Sequence, residues 1–200
     1  MLEKIAETKL ETLFGEFNEV LYYNGQKESI ALYMGDINDG ENILCRVHSS
    51  CLSAHVFNST QCDCREQFAA AQKEIQKAGK GIIIWLDQEG KGNGHYALIK
   101  SSEKKNEGLF QTDAYEAIGF QKDARDFTPA AEILKDLGVK SIIMMTNNPN
   151  KTSTLEKHGI KINGVHPLII EPDPNNKKLI HALLGKINAG HLIDSKDFKE

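Results

Sequence analysis

The sequence predicts an α/β protein: a mixed β-sheet flanked by helices, with a β-rich N-terminal part. Three observations carry that expectation. Residues 4–49 are apolar segments cut by turn signals. GIIIWL at 81–86 and SIIMMT at 141–146 are short apolar runs of the kind buried on both faces of a sheet. Between and after them, apolar residues recur at helical spacing. Two hundred residues, 40% hydrophobic and 26% charged, can bury a core without disulfide staples. One domain spanning residues 1–200 is expected.

Leu10 to Tyr23 reads as strands around Gly15. Asn24-Gly25 is a hairpin signal, with Ser29 to Met34 as the returning strand. Asp36 to Gly40 is a turn and Asn42 to His48 a further strand. Phe68, Ala71, Ile75 and Ala78 set a helix over 66–78, closed by Gly79. Strand 81–86 then runs into Asp87-Gln88-Glu89-Gly90-Lys91-Gly92-Asn93-Gly94. Three glycines in five residues exclude a helix interior there. The stretch is either a ligand loop or a plain connection, and its spacing is not that of a Walker loop. Residues 95–118 look helical with a break near Gly108. A helix follows over Thr128–Leu137, with Thr128-Pro129 as cap and first turn. Strand 141–146 leads into an amide-rich turn at 147–151. A helix from Thr152 to His158, strands within 160–170 and a helix around 176–187 complete the chain.

The net charge of −4 excludes the broad basic face that general nucleic-acid binding requires. The densest positive run, KSSEKK at 100–105, carries its own glutamate and reads as a solvated helix face. No apolar run approaches the ~20 residues of a membrane helix. The start, MLEKIAETKLE, lacks the apolar segment of a signal peptide. With clustered free cysteines, this predicts a reducing, cytoplasmic compartment.

All four cysteines fall within residues 45–64, and Cys51, Cys62 and Cys64 form a C-x10-C-x-C pattern. Thiolate sulfur binds Zn2+ tightly, and three protein ligands leave a fourth position for water, as in catalytic sites. That position can ionise water near neutral pH. Inert buried thiols and a redox pair are the competing readings. Cys45 is most simply a buried thiol. His48 could reach a metal or substrate, or pack at a strand end.

Together, RVHSSC…CDC at 46–64, DQEG at 87–90, GF-x2-D-x-RDF at 119–127 and TNNPNK at 146–151 resemble GTP cyclohydrolase II, the enzyme opening riboflavin synthesis. The resemblance runs from about residue 6 to 192. It implies that Cys51, Cys62 and Cys64 are zinc ligands, one Zn2+ per subunit, and that a zinc-bound water attacks C8 of guanine, which leaves as formate. It further implies Arg125 as the nucleophile that releases pyrophosphate and Asp123 as a proton acceptor. Arg46, Val47, His48, Ser49, Ser50, Gln67, Glu89, Gly90, Lys91, Gln111, Thr146 and Lys151 match nucleotide-holding positions. Mg2+ on the triphosphate and a homodimer are implied as well. Arginine is a poor nucleophile at its high pKa, so Arg125 would need Asp123 as base or orienter.

Several family positions differ. Lys91 stands where the family has arginine, Ser50 where it has glutamate, and Gln111 where it has threonine. Ungapped, Ser102 falls where the family has a tyrosine, and Tyr115 where it has asparagine. These changes gather at 91–115. Two further readings follow: a homologue that stops at a formylated pyrimidine or takes another nucleotide, and a non-catalytic zinc- and nucleotide-binding protein.

Overall fold

The computed structural model describes residues 2–193. Seven strands form one sheet: β1 (Glu3–Thr12), β2 (Gly15–Tyr23), β3 (Glu28–Met34), β4 (Ile43–Ser49), β5 (Gly81–Leu86), β6 (Ser141–Met145) and β7 (Lys161–His166), in the order β1-β2-β3-β5-β4-β6-β7. The helices are α1 (Leu52–His55), α2 (Cys64–Ala78), α3 (Gly94–Lys100), α4 (Ser102–Asn106), α5 (Gln111–Ala117), α6 (Thr128–Asp136), α7 (Pro149–Lys157) and α8 (Lys177–Asn188). β1, β2, β3 and β5 pair antiparallel in succession, while β4–β6 and β6–β7 are parallel. The sheet is therefore mixed, as the sequence predicts.

The chain divides into two compact units. The first comprises the residues up to His48, Phe68–Asp87 and Phe127–Leu168. It contains the sheet. Side chains alternate across β5: Ile82, Ile84 and Leu86 join a cluster with Ile142, Met144 and residues of α6, whereas Ile83 joins Ala71 and Ile75 of α2. Both faces of the strand are thus covered, which is why GIIIWL carries no polar residue. The edge strand β1 is exposed along nearly its whole length.

The second unit comprises Ser49–Gln67, Gln88–Asp126 and, of the described residues that follow, 169–193. It is built of turns, short helices and α8, whose Leu179 and Leu183 form a small apolar cluster. Each unit draws on three separated stretches of chain.

Several boundaries differ from the sequence reading. β1 begins at Glu3; exposure of both its faces leaves no alternation to read there. α2 begins at Cys64, two residues early. The helical stretch 95–118 is three helices, broken at Ser101 and again over 107–110. α7 starts at Pro149 because Asn148 accepts from the Asn150 N–H as its cap. Thr128 is the first helical residue of α6 rather than its cap, and its hydroxyl lies 3.3 Å from His158 Nε2. The Asn24-Gly25 turn is a hairpin, Asn24 Oδ1 accepting from the N–H groups of Gln26 and Lys27. No described helix is long and apolar enough to cross a membrane.

Candidate functional site

The candidate residues fall into two groups. In the sheet unit, Arg46, Val47 and His48 lie at the C-terminal end of β4, and Thr146 follows β6, its parallel neighbour. The C-terminal ends of parallel strands are where α/β sheets present ligand-binding groups. Arg46 is 5% exposed and donates from Nη1 to the Met145 carbonyl at 2.9 Å. Lys151, in the first turn of α7, is equally buried and donates from Nζ to the Val47 carbonyl at 2.8 Å. Two cationic side chains are thereby tied to main-chain oxygens at the ends of adjacent strands. The Thr146 hydroxyl accepts from the Asn148 N–H. His48 is buried with its ring edge-on to Phe68, centroids 5.1 Å apart. Cys45 is fully buried, and burial pushes its thiol up to about 12, the state of an inert core thiol.

The second unit holds the cysteines. Cys51 precedes α1, Cys62 sits in the following turn, and Cys64 opens α2. Their three sulfurs lie within 4.8 Å of one another, Cys51 and Cys62 at 3.8 Å. Neither His48 nor His55 belongs to this cluster. Cys62 is held down by hydrogen bonds from Cys51 and Cys64, while the same bonds hold those two thiols up. One thiolate forms readily and two resist. A soft dication brings all three to thiolate, and the separations suit a tetrahedral ion with one position left open. The donor set therefore fits Zn2+. The helix N-terminus at Cys64 also favours anionic sulfur.

Asp63 lies between two of the cysteines and is 2% exposed. Its carboxylate accepts from Lys186 of α8 and, at 2.6 Å, from Gln67 Nε2. The CDC turn is thus fixed by a buried charge pair. Sequence reading missed both Asp63 and Lys186, since 123 residues separate them. Gln67, which the resemblance places against nucleotide, donates its amide to Asp63.

The glycine loop is laced to its neighbours on both sides. Glu89 accepts from the Leu52 N–H at 2.6 Å and from the Gly90 N–H at 3.1 Å. Ser50 Oγ accepts from the Gln88 N–H, and Ser49 Oγ from Gln88 Nε2. The Ala124 N–H donates to the Lys91 carbonyl at 2.8 Å, and Asn93 Nδ2 to the Gln121 carbonyl at 2.8 Å. Gly90, Lys91 and Gly92 all have positive φ. A Cβ on Gly92 would lie 2.4 Å from the Ala124 oxygen, so that glycine serves chain packing. Lys91 has φ 55° and is pushed down to about 8, by burial first and then by Arg125.

Asp123 and Arg125 form a bidentate pair: Nε to Oδ1 at 2.8 Å and Nη2 to Oδ2 at 2.5 Å. The Arg125 side chain is only 12% exposed, so this is no loose surface pair. Burial pushes the Asp123 carboxyl up, but the Arg125 bonds and charge outweigh it and hold it below its ordinary value. Gln111 Nε2 donates to Ser101 Oγ at 2.9 Å. Ser102 is exposed, its hydroxyl donating to the Leu98 carbonyl of the preceding helical turn. Tyr115 is fully buried, and a Cβ built on Gly90 would lie 3.2 Å from its hydroxyl.

A cavity of about 550 Å3 in the sheet unit is lined by Lys9, Asn18, Tyr33, Asp36, Asn38 and Asp136 among others, and by none of the candidate residues.

Residues 3–167 match the family model described as GTP cyclohydrolase II. The chain is 38% identical over 196 residues to the riboflavin biosynthesis protein RibBA of Bacillus mycoides, covering 97% of this chain and 49% of that one. It is 39% identical over 196 residues to RibBA of Bacillus subtilis, covering 96% and 49%. The chain thus spans about half the length of the curated relatives it matches. A solved two-domain 3,4-dihydroxy-2-butanone 4-phosphate synthase from A. baumannii aligns at TM-score 0.49 and 17% identity, over 82% of this chain and 40% of that one. The motifs at 46–64, 87–90, 119–127 and 146–151 all lie inside the matched span, and the chain belongs to the GTP cyclohydrolase II family.

Proposed function

We propose that this chain is a zinc-dependent cyclohydrolase that opens the imidazole ring of GTP and releases pyrophosphate and formate, leaving a diaminopyrimidine ribotide. The carrying observation is that three cysteine sulfurs within 4.8 Å and a bidentate Asp123–Arg125 pair occur in one compact unit. Cys51, Cys62 and Cys64 would hold the zinc, which when bound supplies an activated water and a sink for developing charge. Asp123 stays ionised at neutral pH and orients the Arg125 guanidinium through two parallel bonds. That contact is what an arginine acting on the α-phosphate requires, because it can draw a proton from the attacking nitrogen. Arg46, Lys91 and Lys151 are the cations we assign to phosphate, with Mg2+ completing the charge balance of the triphosphate. Val47, His48, Ser49, Ser50, Gln67, Glu89, Gly90, Gln111 and Thr146 complete the nucleotide-holding set on this reading.

Residues 1–200 form one functional domain on this reading, because the stretches that build the two units alternate along the chain. The protein works as a cytoplasmic homodimer on small nucleotides, with no nucleic-acid or membrane partner.

A second reading is favoured by one observation. Ser102 is exposed and its hydroxyl donates to Leu98 of the preceding helix α3, so it offers no phenol at the position where the family resemblance expects one. Ring opening could then stop at the formylated pyrimidine, or the substrate could be another nucleotide. Zinc-loaded protein incubated with Mg2+ and GTP separates the outcomes by mass spectrometry. Formate and pyrophosphate in equal amounts support the first reading. Pyrophosphate with a formylated pyrimidine supports the second. Turnover of another nucleotide but not of GTP supports the second reading too, whereas binding of GTP without turnover of any nucleotide overturns both and leaves a non-catalytic binding protein. Cys51→Ser serves as the metal control and should abolish product.

A further inference from the structure

The Gln88 side-chain amide joins the cysteine-bearing segment to the Asp123–Arg125 segment, and Gln88 is 6% exposed. Its Nε2 donates to Ser49 Oγ at 3.1 Å, two residues before Cys51. Its Oε1 accepts from the Asp126 N–H at 3.0 Å, the residue after Arg125. Its own N–H donates to Ser50 Oγ at 3.0 Å. The three bonds lie within one compact unit.

The chemistry of the amide fixes its orientation. Asp126 N–H can only donate, so the carbonyl oxygen must face it, and a flipped amide would set two donors together. Both ends of a planar group are therefore specified by their partners. Glu89, the next residue, accepts from the Leu52 N–H on the other side of Cys51. The first cysteine is bracketed between these two contacts. Spacing gave no hint of this, because a glutamine beside a glycine loop is ordinary composition.

We propose that Gln88 is a positioning residue: its amide sets the separation between the Cys51 thiol and the Asp123–Arg125 pair without itself touching substrate. This rests on the cyclohydrolase reading above. An ångström of misplacement between reacting groups can cost about a hundredfold in rate. A rigid two-ended tether is a direct way to prevent it.

The test compares Gln88→Met with Gln88→Glu. Methionine keeps the length and loses both hydrogen bonds. Glutamate keeps an acceptor for Asp126 and offers Ser49 an oxygen to which its hydroxyl can turn and donate. Zinc content, kcat and KM for GTP, and hydrogen exchange of the Asp126 amide by NMR are read on each. In Gln88→Met we expect Asp126 to exchange about tenfold faster, kcat to fall roughly 10–100-fold and KM to move less than about threefold. Gln88→Glu should restore Asp126 protection and most of kcat. Equal losses in both variants, or an unchanged Asp126 amide in Gln88→Met, overturn the proposal. If Gln88→Met folds poorly, Gln88→Glu decides: a protected Asp126 amide with near wild-type kcat supports the tether, and an unprotected amide overturns it. If the wild type fails to turn over GTP, the cyclohydrolase reading falls, while the exchange measurement still judges the tether.

Discussion

The sheet unit and the loop-rich unit are held together by different physics. Both large apolar clusters belong to the sheet unit, with Ile82, Ile83, Ile84, Ile142 and Met144 fully buried in them. The second unit has a small cluster on α8 and a few buried side chains such as Ala97 and Tyr115, and adds polar tethers: Asp63 with Lys186, Gln88 with Ser49 and Asp126, Glu89 with Leu52. Apolar burial is strong and tolerant of direction, whereas hydrogen bonds are weaker but fix orientation. Stability should therefore reside in the first unit and placement of the cysteines in the second.

The largest expected effect breaks the first half of that contrast. Ile142→Ala empties a fully buried site on β6 and should lower stability by about 2–5 kcal/mol. Urea unfolding measures it. Zinc bound per folded molecule should be unchanged, since Ile142 belongs to the core of the first unit and the three cysteines to the second. Loss of zinc in the folded variant would show that the sheet core also sets the cysteine cluster.

The next effect concerns Lys91, in the polar unit. Its amine is pushed down to about 8 from an ordinary 10.5, by burial and by Arg125 and Lys186, with Asp123 and Asp113 opposing. Below pH 8 both folded and unfolded chains carry the proton, and the penalty of burying the charge is fully present. Between about 8 and 10.5 the unfolded chain holds more protons, so stability rises with pH. The slope cannot exceed about 1.4 kcal/mol per pH unit. Lys91→Met should abolish that rise. Parallel pH profiles for the two proteins would show that the Lys91 amine is not buried in the folded state.

Lys186→Met tests the polar unit more locally. It leaves the Asp63 carboxylate, 2% exposed, with Gln67 as its remaining side-chain partner. A hydrogen bond to a charged group contributes about 1.5–3 kcal/mol, so a loss of about 2 is expected. The informative outcome is zinc affinity, which should weaken by up to roughly 10–100-fold as the CDC turn loosens, the size of effect found when groups that support metal ligands are removed. Unchanged affinity would mean that the CDC turn holds its shape without the ion pair.

How much of this was legible in sequence follows the same division. GIIIWL and SIIMMT announced β5 and β6 because apolar burial leaves a compositional trace. The cysteine pattern announced a cluster of three sulfurs, because thiols are rare enough for spacing to carry weight. Edge strand β1 was read only in part, having no buried face to impose alternation. The tethers were not legible at all. Lys186 looks like any exposed helical lysine, and Gln88 like a loop residue, until the fold brings their partners near. The lone turn α1 after Cys51 likewise has no sequence signature at four residues.

The smallest effect sharpens the comparison through two tyrosines. Tyr22 and Tyr115 are both buried, one in each unit. Tyr22 donates to Asp136 Oδ2 at 2.7 Å, whereas the Tyr115 hydroxyl has no hydrogen-bond partner among the described residues. Burial raises both phenols above their ordinary range, so each stays protonated and able to donate. Tyr22→Phe removes a satisfied bond to a carboxylate and should cost about 1.5 kcal/mol. Tyr115→Phe removes a hydroxyl that lost its water without replacement, so stability should rise by up to about 1 kcal/mol. Thermal unfolding of the two variants reads the opposite signs. A loss in Tyr115→Phe would mean that the hydroxyl is bonded in solution, with Gly90 and Glu89 beside it as the first places to look. An unsatisfied phenol under the glycine loop is the kind of local cost that a sheet core does not carry.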